Sequence, residues 1–309
     1  MRLNKEDNKP AILLGNGLNN YPNGSNQNSY SWKDLLCNLS TVKNTEQILK
    51  SNDLSYPEFF DTLCFLNGKY IDKYKTLKPE IVKKIREWKN QDKHNKLVDF
   101  ARKNNIPIIT TNYDTTLLSD ELLKANKKIT KRSKSEMYAP QKIEKKPFTD
   151  FYPWFSYYSD KKIKDATKEF AIWQMHGFWF YKRSLSIGAS DYASNIFQMK
   201  RYIYNDKNRL YNTDYENWIG RNSWLDIFLN NDLYIIGLTL DSQETSIRWL
   251  LMEREKYFLK NKKKRRNTYY VYNKKNDTFG KGKEYFFNTL NITIVSKEVE
   301  EIYDKWEIS

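Results

Sequence analysis

A short apolar run at residues 106–110 leads directly into a group of hydrogen-bonding side chains, and this arrangement limits the folds open to the chain. The run has the composition of a buried strand, and Thr111, Asn112 and Asp114 follow it at once. In an open α/β sheet, ligands bind just beyond the carboxyl ends of the strands. We therefore expect these three side chains to face a functional site.

Other short segments are also strand candidates, and several have the continuous apolar character of parallel strands that are buried on both faces. Helical patterns separate them along the chain. The alternation of strands and helices predicts an α/β fold, a Rossmann-like doubly wound parallel sheet with helices on both faces. The six predicted strands cover residues 11–14, 106–110, 170–174, 233–237, 268–272 and 292–295.

The interval between the first two predicted strands is too long for a single crossover helix, so we expect it to contain an inserted helical subdomain. Residues 31–104 make up this insertion, and residues 119–167 make up a second one that we interpret as a cap over the sheet. The helical patterns in the first insertion cover residues 32–38, 56–66, 79–90 and 94–104.

At 309 residues the chain is long enough to bury a sizeable core, its length predicts about one to two domains, and it shows no internal repeat. Outside the two insertions, the predicted core combines residues 8–30, 105–118 and 168–300.

The chain has 53 basic and 38 acidic residues, a formal net charge of +15. Such an excess suits a polyanionic partner, but charge alone does not identify one. Much of it lies at residues 127–146 and 260–266, where aromatic residues are not interleaved as in a stacking platform for bases. Two interpretations stay open: solvated surface segments, or contact with nucleic acid or an acidic protein.

The two cysteines, Cys37 and Cys64, have no C-x-x-C partners and cannot supply the ligands of a zinc site. We expect reduced core residues and no bound metal. No apolar run approaches the roughly 20 residues that span a bilayer, and the first residues lack the apolar stretch of a signal peptide. We therefore expect a cytoplasmic protein without membrane contact.

Glycine is scarce, at 10 of 309 residues, yet Gly15, Gly17 and Gly237 each fall at or just after the end of a predicted strand. Glycine at such a place serves a tight turn or the close approach of a ligand. The turn that also contains Asn16 and Asn19 has two interpretations. It is a phosphate cradle built from backbone N–H groups, or a plain structural turn.

The two histidines stand in different contexts. His94 lies in a polar, charged helix start, and we expect it at the surface. His176 follows the third predicted strand and should emerge at the carboxyl edge of the sheet. A buried histidine satisfied by the backbone is the alternative for His176, but convergence with Thr239 and Asp241 at the same edge favours a functional role.

Four motifs, in their order along the chain, resemble the SIR2-like domain of bacterial defence proteins. The resemblance covers residues 8–300 and implies that they form a single domain. Ser-Trp-Lys-Asp-Leu-Leu at 31–36 and Ser-Asp-Tyr at 190–192 support it. The motifs are the glycine turn, Thr-Thr-Asn-Tyr-Asp at 110–114, His-Gly at 176–177 and Ile-Ile-Gly-Leu-Thr-Leu-Asp at 235–241.

The resemblance implies an NAD-binding fold and, in the defence branch, hydrolysis of NAD+ to nicotinamide and ADP-ribose, which depletes NAD+ in an infected cell. By position, Asn112 matches the asparagine that orders the ribose and the attacking water, and His176 matches the catalytic histidine. Asp114 matches an acid that helps to hold the nicotinamide-ribose side of NAD+. Thr111, three residues earlier, is also implied to contact NAD+. The residues implied to contact the pyrophosphate and adenosine parts are Gly15, Asn16, Gly17, Asn19, Gly237, Thr239 and Asp241.

The deacylase sirtuins resemble the chain in the turn and histidine motifs but carry a four-cysteine zinc ribbon, which two isolated cysteines cannot form. The turn also reads Gly-Asn-Gly-Leu-Asn rather than Gly-Ala-Gly, and Leu238 replaces a small polar residue. We therefore predict an NAD+ hydrolase with no cofactor besides its substrate. We expect activation by self-assembly into a homo-oligomer or by a separate defence protein such as an ATPase.

Two other functions stay open. One is a sensor that binds NAD+ or an ADP-ribose nucleotide without hydrolysing it. The other is a nucleic-acid-binding or nuclease subunit of a defence complex that uses the basic loops.

Overall fold

The protein is a mixed α/β structure built around one central sheet. The computed structural model describes residues 1–4, 6, 9–21, 31–50, 54–68, 77–131, 138–142, 155–205, 209–211, 214–241, 244–262, 265–273 and 279–308. The strands are β1 (Arg2–Leu3), β2 (Pro10–Leu14), β3 (Ile108–Thr110), β4 (Gln141–Lys142), β5 (Ser156–Tyr157), β6 (Ile172–Gln174), β7 (Asp232–Ile236), β8 (Thr268–Asn273), β9 (Thr293–Lys297) and β10 (Glu307–Ile308).

Helices connect these strands and cover the central sheet. They are α1 (Gly17–Asn20), α2 (Trp32–Leu39), α3 (Thr45–Lys50), α4 (Tyr56–Leu66), α5 (Lys78–Ile85), α6 (Asp92–Lys103), α7 (Asp120–Thr130), α8 (Ala189–Lys200), α9 (Trp224–Asn230), α10 (Thr245–Lys260), α11 (Lys281–Thr289) and α12 (Val299–Tyr303). Short 3₁₀ helices occupy Lys182–Ser184 and Tyr215–Asn217, and a π-helix at Arg201–Asn205 continues α8.

The central sheet has six strands in the order β6-β3-β2-β7-β8-β9, and every neighbouring pair is parallel. Counted along the chain, this is the order 3-2-1-4-5-6 of Rossmann folds. The order reverses between β2 and β7, which places a crevice beyond their carboxyl ends. The prediction of a parallel α/β sheet is confirmed, and each of the six predicted strands forms one of its strands.

The two faces of the sheet are covered by different helices. Alternate residues of each strand point to opposite faces, so Ile12 and Leu13 enter separate core clusters. The first cluster joins one sheet face to buried residues of α2, α4, α5, α6, α7 and α12. The second joins the other face to buried residues of α8, α9, α10 and α11. The result is a three-layer arrangement with the sheet in the middle.

The interval between β2 and β3 is helical, as predicted, but its described residues do not form a core cluster of their own. Buried residues of α4 and α6, such as Phe60 and Leu97, belong to the same cluster as Ile12 and Ile108 of the sheet. The division of the chain into a core and two insertions therefore stays a prediction. In the second interval, residues 120–130 form α7, whereas residues 143–154 lie outside the described residues.

Predicted helix boundaries agree closely with the structure except at α5. The pattern predicts a helix over 79–90, but α5 ends at Ile85. The amides of Glu87 and Trp88 bond three residues back, to Lys84 and Ile85, so the chain tightens into a turn. The buried Trp88 extends the apolar pattern past the end of the helix, which explains why the sequence overestimates its length.

The second basic segment is in part neutralised within the protein. Arg265 forms two hydrogen bonds of 2.7 and 2.8 Å with the carboxylate of Glu255, and Arg266 lies 3.8 Å from Asp232. Residues 132–137 and 143–146 of the first basic segment, and 263–264 of the second, lie outside the described residues. Cys64 is buried and Cys37 is half-buried, and both are free thiols.

Candidate active site

A cavity of about 950 Å³ lies beyond the carboxyl ends of β2 and β7, where the strand order reverses. Open α/β sheets bind their ligands at this place. The volume is near the upper end of the roughly 300–1,000 Å³ of small-molecule sites. The sequence-predicted residues that line it are Asn16, Gly17, Thr111, His176, Gly237, Thr239 and Asp241. Those that do not line it are Gly15, Asn19, Asn112 and Asp114.

The turns that follow β2 and β7 are in direct contact. The N–H of Gly15 donates to Ile236 O at 2.9 Å, and the N–H of Gly17 donates to Gly237 O at 3.0 Å. A Cβ on Gly15 would stand 2.3 Å from Gly237 O, so only glycine allows this approach. Since both amides are used within the protein, they are not available to a phosphate, and the plain-turn interpretation holds for these two groups.

The loop after β3 holds Asn112 against the first turn. Its N–H donates to Thr110 Oγ1 at 3.1 Å, and its Nδ2 donates to Gly15 O at 3.3 Å. Its Oδ1 is buried and accepts no hydrogen bond from the part of the chain that the structure describes. A buried acceptor without a partner costs about 1–3 kcal/mol. A donor on a ligand or a water would offset this cost.

His176 lines the cavity and is buried, with 3% of its surface exposed. Its carbonyl accepts from the N–H of Ser186 at 2.9 Å, and Gly177 follows with a φ of +98°, where a Cβ would collide with Ser184 O. Nε2 has no hydrogen-bond partner among the described residues, so the alternative of a fully satisfied buried histidine does not hold for this atom. Burial lowers the pKa of His176 to about 3, so the ring is neutral and offers a lone pair.

His94 is fully buried, and the prediction that it lies at the surface is wrong. Its Nδ1 accepts from the N–H of Gln91 at 3.0 Å, so Nε2 carries the hydrogen and donates to Asn19 Oδ1 at 2.9 Å. His94 stands three and four residues before the buried Leu97 and Val98, on the same face of α6. This helical spacing indicates a buried position for His94, whereas the neighbouring charged residues favour an exposed one.

Asn19 and Asp114 form a buried support beneath the cavity lining. Nδ2 of Asn19 donates to Asn16 Oδ1 at 2.8 Å and to Asp114 Oδ2 at 3.0 Å. Oδ1 of Asn19 accepts from His94 and from Thr116 Oγ1 at 3.0 Å. Burial raises the pKa of Asp114, while its hydrogen bonds oppose the shift. In this structure the two residues connect the first turn to the loop after β3 and hold Asn16 in place.

Aromatic rings cover part of the cavity, and the sequence analysis assigned none of them a role. Trp32 contacts Tyr113 edge to face, with ring centroids 4.9 Å apart. Tyr192 contacts His176 in the same manner at 5.2 Å, and its hydroxyl lies 3.5 Å from that of Tyr113. Trp32 and Tyr192 stand in the segments that support the family resemblance, but only the fold reveals that they meet.

Three cationic side chains of the described residues line the cavity, and each already has a partner within the protein. Lys33 Nζ lies 2.6 Å from Glu46 Oε1, and Lys283 Nζ lies 2.7 Å from Asp241 Oδ1. Arg248 donates to a backbone carbonyl of the preceding loop at 2.9 Å. Lys283 and Arg248 lie on the side of the cavity formed by the segments after β7 and β8, beside Thr239 and Asp241.

Glu244 also lines the cavity and was missed by the sequence analysis. It is the residue before the first turn of α10, at the end of the loop that leaves β7. In a parallel α/β sheet, the carboxyl ends of strands and the amino ends of the following helices lie at the same edge. Applied to the sequence, this rule could have identified Glu244 as a residue at the edge that carries the cavity.

Within the described ranges, no group of three or more His, Cys, Asp or Glu residues is placed to hold a metal ion. The helices that the structure describes include none that combines the length and the apolar character needed to cross a membrane. No protein-family model matches the sequence, and the curated proteins include no match to it.

Proposed function

We propose that this protein is an NAD+ glycohydrolase of the SIR2-like type, which releases nicotinamide and ADP-ribose. The observation that carries the proposal is the buried His176, whose Nε2 has no partner among the described residues and which lines the cavity where the strand order reverses. The motif resemblance and the size of the cavity support the same conclusion.

The chemistry suits a site with few charged groups. In NAD+ the nicotinamide is already cationic and leaves as a neutral molecule, so no general acid is needed, unlike most glycoside hydrolysis. The protein has to stabilise the oxocarbenium-like ribose, place one water and exclude other nucleophiles. Positioning and electrostatic stabilisation supply most of the rate in such a reaction.

The buried polar atoms suit these tasks. The neutral ring of His176 accepts a hydrogen bond from the attacking water and orients it. Oδ1 of Asn112 accepts from the ribose or from the same water, while its Nδ2 stays bonded to Gly15 O. The rings of Trp32 and Tyr192 provide faces on which nicotinamide stacks.

The distal part of the cavity suits the remainder of the dinucleotide. Lys283 and Arg248 provide positive charge for the pyrophosphate, and Thr239 and Asp241 provide hydrogen-bonding groups for the adenosine part. In a cell, unrestrained hydrolysis of NAD+ would kill the host. We therefore infer that a defence partner or self-assembly controls the activity and that phage infection triggers it.

A second candidate function is a sensor that binds NAD+ or an ADP-ribose nucleotide without hydrolysis. It is favoured by the position of Asn112, which does not line the cavity in this structure. The sensor would bind NAD+ in a calorimeter and release no nicotinamide, whatever partner is added.

Incubation of the purified chain with NAD+, alone and with the product of the neighbouring gene, tests the proposal. Nicotinamide and ADP-ribose are measured by chromatography. We expect both products in equal amounts. NAD+ that binds but stays intact under every condition would favour the sensor.

Substitution of the two predicted catalytic residues provides the sharper test. We expect His176→Ala and Asn112→Ala each to reduce kcat by about 10²-fold or more, because each removes a group that places the water or the ribose. Thermal unfolding should show that both variants remain folded. Asn95→Ala changes a half-buried asparagine of α6 outside the cavity and should keep normal turnover. Unchanged turnover in His176→Ala would refute its assignment.

A further inference from the structure

Glu244 is a carboxylate without a partner in a mostly enclosed place. Its side chain makes no hydrogen bond and no ion pair with any other described residue, and it does not cap α10. Burial raises its pKa to about 7, and the nearby Asp241 adds to this effect. The side chain is half-buried and lines the cavity, so its carboxylate is accessible to a ligand there.

The cations of the cavity do not neutralise this carboxylate. Lys33 is paired with Glu46, and Lys283 is paired with Asp241. The guanidinium of Arg248 lies over the ring of Phe286, at 3.8 Å from its centroid. Among the described residues that line the cavity, Glu244 is therefore the carboxylate that is available to pair with a cationic ligand.

Aromatic side chains line the same cavity as Glu244, among them Tyr113 and Tyr192. Burial raises the pKa of both tyrosines, and the negative charge of Glu244 adds to this effect, so its charge acts on both phenols. The ring of Tyr192 in turn contacts the neutral ring of His176. A carboxylate among aromatic faces attracts a flat cationic ring, by charge and by cation–π interaction. The pyridinium of NAD+ is such a ring.

This inference rests on the proposed hydrolysis of NAD+. We propose that Glu244 is a further catalytic residue, whose carboxylate contacts the nicotinamide-ribose end of NAD+ and accepts the proton of the attacking water.

Hydrolysis of NAD+ by this route needs only water as a second reactant. The bond between ribose C1′ and the pyridinium nitrogen breaks, and its electron pair goes to the nitrogen, which leaves as neutral nicotinamide. The water oxygen forms the new bond to C1′, and the water proton passes to Glu244 and then to solvent. The ionised carboxylate also stabilises the positive charge that develops on the ribose.

Glu244 and His176 have complementary properties in this scheme. A proton acceptor works best when its pKa is near the working pH, which is the case for Glu244. His176, with a pKa of about 3, orients the water but holds a proton too weakly to be its final acceptor.

Binding of the oxidised and reduced dinucleotides tests the contact apart from turnover. NAD+ has a cationic nicotinamide ring and NADH has a neutral one. Titration calorimetry is performed on His176→Ala, in which we expect turnover to be slowed by about 10²-fold or more, with and without Glu244→Gln. We expect His176→Ala to bind NAD+ roughly tenfold more tightly than NADH. We expect Glu244→Gln to remove this preference, whereas Glu284→Gln, which changes an exposed carboxylate of α11, retains it.

Turnover tests the proton transfer. In the otherwise native chain we expect Glu244→Gln to lower kcat by about 10²-fold or more, because general base catalysis contributes about that factor. The rise in kcat with pH near 7 should disappear as well. Glu244→Asp should restore part of the rate. Thermal unfolding of each variant checks that the fold is retained, which we expect because Glu244 makes no capping bond.

The outcomes separate the two proposals. If the native chain hydrolyses NAD+ while Glu244→Gln keeps the rate and the preference for NAD+, the role of Glu244 is refuted and the hydrolase stands. If neither dinucleotide binds and the native chain releases no nicotinamide, the hydrolase is refuted, and the role of Glu244 with it.

Discussion

Single buried polar residues determine how this site is built. The chain has two histidines, and both are buried at the same edge of the sheet. His94 uses both ring nitrogens within the protein, whereas Nε2 of His176 has no partner among the residues that the structure describes. The first therefore supports the turn that contains Asn19, and the second is available to a ligand. Sequence context alone suggested the opposite degree of burial for His94.

Each of the two histidines should contribute a loss of stability in mild acid. Burial lowers both pKa values to about 3, below the unfolded value of 6.5, so the folded state binds fewer protons between these limits. The stabilising effect is complete above pH 6.5 and is lost as the pH falls toward 3. At pH 5 each histidine should lower the free energy of unfolding by about 2 kcal/mol relative to pH 7.

Urea unfolding at pH 7 and pH 5 measures this dependence. His94→Gln keeps a donor toward Asn19 but does not titrate, so its free energy of unfolding should fall by about 2 kcal/mol less than that of the native protein between the two pH values. Groups with a raised pKa, such as Glu244, act alike in both proteins and do not affect this difference. For each of the two proteins, the free energy of unfolding at pH 5 is compared with its own value at pH 7. An equal loss in the two proteins would show that His94 does not contribute.

At the scale of elements, the contact between the turns after β2 and β7 shapes the floor of the cavity. Gly237 has a φ of +69°, and its Cα lies 2.6 Å from where a Cβ of Gly17 would be. Scarce glycines after strands were the signal that located these turns in the sequence. The sequence did not reveal that the turns contact each other, since β2 and β7 become neighbours only in the sheet.

Gly15→Ala tests this contact. The added methyl group would collide with Gly237 O, so we expect a loss of about 1–3 kcal/mol in the free energy of unfolding and weaker binding of NAD+. Gly282→Ala is the matched control, because nothing lies within 4 Å of its Cβ position in α11. It should leave stability unchanged or raise it by up to about 1 kcal/mol. Similar values for the two variants would contradict the close contact.

At the scale of the whole molecule, Arg254 connects one layer of helices to the sheet. This fully buried side chain of α10 donates to Asn231 O at 2.7 Å, to Asn267 O at 3.0 Å and to Thr268 Oγ1 at 3.0 Å. It also donates to Phe228 O at the end of α9. Burial lowers its pKa to about 9, so it stays charged at neutral pH. One guanidinium thus joins α9 and α10 to the starts of β7 and β8.

Arg254→Lys should therefore destabilise the whole protein. Lysine keeps the charge but lacks the planar set of donors, so buried carbonyls lose their partners. We expect a loss of roughly 3 kcal/mol in the free energy of unfolding, measured with urea. Arg221→Lys, at a partly exposed site, should change it by less than about 0.5 kcal/mol. A loss below 1 kcal/mol for Arg254→Lys would refute this role.

The sequence by itself determined the parallel sheet and the edge that carries the candidate site. Strands buried on both faces are short, continuous apolar runs, and the polar residues after them, such as Thr111 and His176, are adjacent in the chain. Only the tertiary structure decided which polar groups line the cavity and which support it. Asn19, His94 and Asp114 come from separate segments, and Glu244 follows a loop that returns to the cavity. Their roles depend on packing between segments distant in sequence, which local patterns do not encode.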